Sequence, residues 1–385
     1  MISISRLYCG ASSAADNLRY GAGLRPGRKP VVVWNTTRRC NLVCAHCYSV
    51  SDNSIADNEL STAEARAMIG QLGAYGCPIL LLSGGEPLLR QDLPELATHA
   101  VALGLRVAVS SNGTLLDDAL AMRLKEAGVA YIGVSLDGLE AAHDRFRGAE
   151  GAFASALKGI RAARRAGIKA GIRFTLMQCN VRDVPGIFAL LADEGLPRLC
   201  FYHLVHTGRG AALAGSGLDH EQTRAVLEVI IDQTAALHAR GIPCEVLTVD
   251  NHSDGPYLYL KMCREHNPRA ARALDLLRQS GGNGAGETIG CVRWDGTVYP
   301  DQFWRSQPLG SVRDRSFGGI WEDTSIPLLH SLKHKQEHVT GRCKACRFLD
   351  VCGGNLRARA EAATGHVWGV DPACYLTGPE VSREQ

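Results

Sequence analysis

The chain has 385 residues, with 42 Lys plus Arg against 39 Asp plus Glu and a formal net charge of +3. That balance excludes a nucleic-acid coat or an acidic-tail binder, which need clustered charge. Apolar residues at 45% and charged residues at 21% exclude a disordered chain and supply core for one large domain or two to three ordinary ones. No apolar run reaches the roughly 18 residues that span a membrane. The opening MISISRLYCGASS lacks the basic and apolar stretches of a secretory signal. The expectation is a cytoplasmic protein with no membrane span and no nucleic-acid partner.

Residues 1–30 form an extension before the first strand. From 31 to 206 short β-branched or apolar runs alternate with helical patterns. The runs are 31–37, 79–85, 105–112, 131–138, 170–177 and 199–205. The helical patterns include 62–75, 92–103, 117–127, 152–166 and 183–194. Ser61-Thr62-Ala63-Glu64 has the form of a capping box, and Asp92 and Asp117 stand where N-caps belong. Six strand–helix units in series imply a parallel sheet with right-handed crossovers. Six falls short of the eight that close a TIM barrel, so an α/β fold with a partial, open (β/α)6 barrel is expected. Residues 207–285 read as a bridging, substrate-facing segment. It holds a helix at 220–240, a strand at 244–249, the stretch DNHSDGPYLYL (250–260), a polar helix at 268–279 and the loop GGNGAGE (281–287). From 286 a hairpin around Asp295-Gly296 opens a C-terminal domain, 286–385. Its Cys-rich end is expected to be held by metal rather than by a core.

Fourteen cysteines in a reducing compartment point to metal binding or chemistry rather than disulfides. Cys40, Cys44 and Cys47 follow the first strand as Cys-x-x-x-Cys-x-x-Cys. Three thiolates do not complete a tetrahedral zinc site, whereas three on a [4Fe-4S] cluster leave one iron open to a non-protein ligand. Cys343, Cys346, Cys352 and Cys374 supply four thiolates, enough to close a [4Fe-4S] cluster or a zinc knot. Cys291 is open between an active-site thiol, a spectator and a packed side chain. Cys9, Cys77, Cys179, Cys200, Cys244 and Cys263 read as packing.

The stretch CNLVCAHCY, together with Ser83-Gly84-Gly85-Glu86-Pro87 behind the second strand, resembles the cluster loop and Gly-Gly-Glu-Pro motif of the radical S-adenosylmethionine (SAM) enzymes. The resemblance implies that Cys40, Cys44 and Cys47 hold a [4Fe-4S] cluster whose open iron takes the amino and carboxylate groups of SAM. It further implies a SAM site built from Tyr48 near the adenine, Gly84 and Gly85 at close backbone approach and Glu86 toward the methionyl ammonium. Ser110, Asn112, Ser135 and Asp137 would meet the ribose and methionyl end, Arg147 and Arg173 the carboxylate, and the backbone around Leu204 the adenine. The segment GRCKACRFLDVCGGN with its late Cys374 resembles the SPASM-type auxiliary-cluster domain of the same superfamily. Leu356 stands where the full pattern has another Cys, so one full auxiliary [4Fe-4S] cluster is expected and a second is not.

Further stretches, VLTVDNHSDGPYLYL, IGCVRWDGTVYPDQFW and VWGVDPACYLT among them, resemble the branch of the family that modifies tetrapyrroles. That branch implies an iron-tetrapyrrole substrate, 12,18-didecarboxysiroheme, and removal of its two acetate side chains through a 5′-deoxyadenosyl radical to give iron-coproporphyrin III. Replacement of two propionates by oxo groups, as in heme d1 biosynthesis, is the alternative. A peptide or enzyme maturase and a non-enzymatic metal scaffold are the rivals. A small flavodoxin- or ferredoxin-type protein would supply electrons. A polycarboxylate substrate calls for cationic and hydrogen-bonding groups. On that ground Arg209, His203 and Cys291 are the candidates for catalysis, with His206, Asn251, His252, Asp254, Tyr257 and Arg305 beside them.

Overall fold

The structure is a computed structural model that describes residues 1–21, 28–54 and 56–382. Eleven strands make one sheet: β1 (Ile2–Ser3), β2 (Val31–Asn35), β3 (Ile79–Ser83), β4 (Arg106–Ser111), β5 (Tyr131–Ser135), β6 (Lys169–Leu176), β7 (Arg198–His203), β8 (Glu245–Val249), β9 (Ile289–Val292), β10 (Thr297–Tyr299) and β11 (Gly310–Ser311). Their order is β1-β8-β7-β6-β5-β4-β3-β2-β9-β10-β11. The six expected strands, β2 to β7, are parallel neighbours in sequence order. The sheet wraps as an open, partial barrel.

Two features extend the expected sixfold unit. β8, in the segment read as a bridge, pairs parallel with β7, and β9 pairs parallel with β2 at the other edge. The N-terminal extension is tied in as well, because β1 lies antiparallel on β8. The sheet therefore runs through all four segments expected from sequence. Nor is the Cys-rich end held by thiols alone, since Phe348, Val351, Tyr375 and Leu376 are buried in the same core as the barrel helices.

The period-2 pattern of each strand sorts its side chains between two faces. Val32, Trp34, Leu80, Leu82, Val107, Val109, Ile132, Val134, Ile172 and Phe174 turn outward into the helix-covered core and are fully buried. The alternate residues face the barrel interior. Toward the carboxyl ends that inner row becomes polar, with Ser83, Ser110, Ser135, Arg173, Thr175 and Tyr202. A parallel sheet covered on both faces reads as a nearly continuous apolar run, and these interruptions mark where its interior is open.

The helices begin largely as their sequences dictate. Ser61 and Glu64 form the complete capping box of Thr62–Tyr75, and Asp117 accepts from the Leu120 amide. Asp92 holds the N-cap position of Leu93–Ala102 without a cap hydrogen bond. Pro94 removes one of the two amides a cap would reach, and the carboxylate binds Arg90 and Thr62 instead. The stretch DNHSDG opens the helix Asp254–Arg264 rather than forming a free polar turn. Among the described residues no helix is long and apolar enough to cross a membrane.

The C-terminal region is joined to that helix start by Asn355. This buried side chain accepts from the His252 amide at 2.7 Å and donates to Asn251 Oδ1 at 2.8 Å and Ser253 Oγ at 3.2 Å. Asn355→Ala strands these partners, and a loss of about 3 kcal/mol is expected. A lower urea midpoint with an unchanged slope will show it.

Candidate active site

A cavity with about 1110 Å³ of free space opens at the carboxyl ends of the strands and is walled by the loop that carries Cys40, Cys44 and Cys47. The loop has little regular structure and is fastened by backbone contacts. The Gly85 amide donates to Thr37 O and the Glu86 amide to Arg39 O, both at 2.8 Å, and the Cys40 amide donates to Asp52 O at 2.7 Å. A Cβ on Gly85 would sit 2.1 Å from Arg39 O, and one on Gly208 would sit 2.4 Å from Tyr48 O. These glycines bring the strand ends onto the loop, so Gly84 and Gly85 serve the loop backbone as well as lining the cavity. Arg209 completes the clamp, with Nε donating to Cys44 O at 2.9 Å and Nη1 to Ser51 O at 2.7 Å.

The three thiols share one apolar patch but differ in environment. Burial pushes Cys40 up to about 12 and raises Cys44 against the pull of Arg147. Burial would raise Cys47 too, but hydrogen bonds from Ser49 and Ser51 and the charge of Arg209 outweigh it and hold that thiol low. Arg147 is buried, reaches Cys44 Sγ at 3.4 Å through Nη1 and pairs with Asp137 through Nη2. Its Nε is buried without a partner. A site for thiolates and an anionic ligand needs such cations, and the donor set fits a cluster on three thiolates with a carboxylate-bearing ligand beside it.

Of the SAM contacts expected from sequence, Tyr48, Gly84, Gly85, Ser110, Asn112, Ser135, Arg147, Arg173 and Leu204 line this cavity. Glu86 and Asp137 do not. The Glu86 carboxylate is fully buried and accepts from Ser111 Oγ and the Asn112 amide at 2.7 Å and the Leu88 amide at 3.1 Å. Burial pushes it up to about 7 despite those donors. It joins the ends of β3 and β4 and has no face left for a ligand. Asp137 is likewise enclosed, taking Arg147 and the Thr175 amide at 2.6 Å. Tyr48 turns its hydroxyl to Asn35 Oδ1 at 3.0 Å.

The candidates for catalysis have other partners. His203 Nε2 meets Asp254 Oδ2 at 2.8 Å, and Tyr375 donates to Asp254 Oδ1 at 2.8 Å. Arg209 holds loop carbonyls, as above. Cys291 is buried on β9 beside Val33 and Tyr299, lies outside the large cavity, and has its thiol raised by burial. Arg305 donates to Tyr48 O at 2.8 Å, and Tyr257 donates to Glu228. Asn251 and His252 meet Asn355, as above. Of the six cysteines read as packing, Cys77, Cys200 and Cys244 are buried, Cys9 is half-buried, and Cys179 and Cys263 are exposed.

Sequence reasoning missed three groups. His46 lines the cavity, stacks on Phe146 at 4.3 Å and stands 3.8 Å from Asp137. Asp250 lines it in a left-handed conformation, φ 68°, and burial pushes its carboxyl up to about 6. Arg359 lines a second cavity of about 1180 Å³ that shares His203 and Leu204 with the first. A strand-ending VDN was the signal for Asp250; the spacer inside the cysteine motif carries none for His46.

Cys343, Cys346, Cys352 and Cys374 also come together, each thiol within electrostatic reach of others of the set. Among the described residues no three His, Cys, Asp or Glu groups converge tightly enough to hold a single metal ion. Four thiols are the donor number and type that a [4Fe-4S] cluster takes.

Residues 34–191 match the model of the radical SAM superfamily. The chain is 50% identical, over 99% of both sequences, to the Fe-coproporphyrin III synthase of Methanosarcina barkeri. It is 41% identical to the pre-heme d1 synthase of Dinoroseobacter shibae, over 91% of this chain and 87% of that one. Its fold resembles that of Streptococcus suis SuiB bound to S-adenosylmethionine, with a TM-score of 0.71 at 16% identity, over 91% of this chain and 78% of that one. The chain belongs to the radical SAM superfamily. It is a radical SAM enzyme, and SAM and a [4Fe-4S] cluster are its cofactors.

Because Gly85 touches the loop backbone, Gly85→Ala is expected to unseat the cysteine loop while sparing the Cys343–Cys374 site. Iron bound per chain should fall by roughly four, and SAM should no longer perturb the electron paramagnetic resonance (EPR) signal of the iron that remains.

Proposed function

We propose that the chain converts 12,18-didecarboxysiroheme to iron-coproporphyrin III by removing two acetate side chains. The observation that carries this is 50% identity over 99% of both chains to an Fe-coproporphyrin III synthase, against 41% to the pre-heme d1 synthase. The two cavities, which share His203 and Leu204 in their walls, support it. The second has His206 and His220 in its lining for a polar ligand, and the Arg173 guanidinium, 4.5 Å over the Tyr202 ring, stands in the first.

Cys40, Cys44 and Cys47 hold the cluster in this reading. Bound there, the cluster and SAM supply one electron and a 5′-deoxyadenosyl radical. Arg147 neutralises charge beside Cys44, and its unpartnered Nε would be available to the SAM carboxylate. Ser110 and Ser135 present hydroxyls to the ribose and methionyl end, and the Leu204 backbone borders the adenine. Arg209 and Gly208 keep the loop closed against water. Arg173 takes a substrate carboxylate, for which a guanidinium fork is suited. Cys343, Cys346, Cys352 and Cys374 would hold an auxiliary [4Fe-4S] cluster, which would supply one-electron transfer on the C-terminal side of the site. A flavodoxin- or ferredoxin-type protein in the cytoplasm supplies the reducing equivalents.

The test is a product mass. The protein, rebuilt without oxygen and given SAM, reductant and didecarboxysiroheme, should yield iron-coproporphyrin III with two acetates lost. Propionates exchanged for oxo groups would move the chain to the heme d1 reaction. Unchanged tetrapyrrole beside 5′-deoxyadenosine would remove the substrate from the reading. In the same assay Cys44→Ala should abolish 5′-deoxyadenosine, whereas Cys352→Ala should leave SAM cleavage measurable and stop product.

A further inference from the structure

Arg357 is fully buried, at the start of the helix Arg357–Thr364. A guanidinium carries five N–H groups. Nη1 spends its two on Val367 O at 3.1 Å and Gly369 O at 2.7 Å. Nε and Nη2, which carry the other three, are buried with no partner. A cation left in that state is costly unless a negative group stands close by.

The nearby carboxylate is already spent. Asp371 is gripped by Arg359, Nε to Oδ1 at 2.8 Å and Nη2 to Oδ2 at 2.9 Å. After Asp371, the groups whose charge acts on Arg357 are the thiols of Cys343 and Cys352 and the guanidinium of Arg359. Arg357 packs against the backbone of Gly354, two residues beyond Cys352, where an added Cβ would be 3.4 Å from its Cζ and Nε. The guanidinium thus lies beside the chain segment that carries Cys352. Arg342 also reaches Cys374 Sγ, at 3.7 Å, but Arg342 is exposed and screened by water.

We propose that Arg357 is the counter-ion of the cluster held by Cys343, Cys346, Cys352 and Cys374, and that it sets that cluster's reduction potential. The inference rests on the assignment of a cluster to these four thiols. Reduction adds one negative charge to the cluster, so a fixed cation beside it stabilises the reduced form more than the oxidised form and raises the potential. Arg357 is a positioning residue in this role and touches neither SAM nor tetrapyrrole.

The experiment is a potentiometric titration followed by EPR on the full-length protein with both clusters rebuilt. Arg357→Met should weaken the reduced auxiliary cluster at least tenfold relative to the oxidised one, a downward shift of 59 mV for one electron. The cluster at Cys40, Cys44 and Cys47 should not move. Arg357→Lys, which keeps the charge, should restore most of the shift. An auxiliary potential unchanged in Arg357→Met, or both clusters moving together, overturns the proposal. If Arg357→Met loses auxiliary iron, retention in Arg357→Lys supports charge compensation, and loss in Arg357→Lys as well overturns it in favour of a purely structural role. The cluster assignment is checked apart from Arg357: wild-type protein should hold roughly eight irons, and Cys343→Ala/Cys346→Ala roughly four. Eight irons in that double variant would sink the assignment itself.

Discussion

The site depends on a backbone-to-backbone contact that side chains cannot replace. The cysteine loop has almost no internal hydrogen-bond ladder, so by itself it would not hold three thiols in one place. It borrows order from strand ends: Gly85 and Glu86 donate to the chain at Thr37 and Arg39, and Arg209 donates its amide to Cys47 O at 3.0 Å. Gly85 and Gly208 permit approaches that a single Cβ would block. Buried backbone groups must be paired, and here the pairing also fixes the thiols against the cavity.

The second constraint is charge. Three thiolates in a buried patch repel one another, and the chain answers with cations that are themselves restrained. Arg147 is held by Asp137, and Arg209 by two loop carbonyls. Asp137, though wholly buried, has its carboxyl held below the usual range chiefly by the Arg147 guanidinium, which outweighs the effect of burial. Removing one member of such a pair leaves an uncompensated charge in low dielectric, a larger loss than the pair's net worth. Glu86 solves a different problem: with backbone amides and a hydroxyl as its partners, it closes the gap between β3 and β4 and rides high on the pH scale.

Much of this was legible in the sequence. Cysteine spacing marked both thiol groups, and alternation marked the six strands whose carboxyl ends form the cavity. Ser110, Ser135 and Arg173 were placed by the family resemblance and their positions at strand ends, and the period of two in the strands turns them to the inner face. The glycines and Glu86 were found, but their partners were not, because a motif shows which residues are special and not what they touch. His46 escaped for a similar reason, since nothing local distinguishes a cavity imidazole from a surface one, whereas Asp250 had its signal in the VDN that closes a strand. The strand expected at 244–249 is β8, but its partners were not legible, because strand pairing is a long-range property, decided here by β7 and β1 together.

Residues 245–254 join the two thiol regions. β8 leads directly into Asp250, which lines the first cavity. The next residues, Asn251 to Asp254, are bound by Asn355 and Tyr375, which lie in the region of the second thiol group. Through Asp254 the hydroxyl of Tyr375, the neighbour of Cys374, is linked to His203, which faces both cavities. A substrate seated across His203 and Leu204 would therefore have the Cys40–Cys47 loop on one side and the Cys343–Cys374 group behind the other. The C-terminal region thus serves more than stability: Arg359, Pro372 and Ala373 form part of the wall of the second cavity, and the Asn355 and Tyr375 contacts tie that wall to the residues that follow β8.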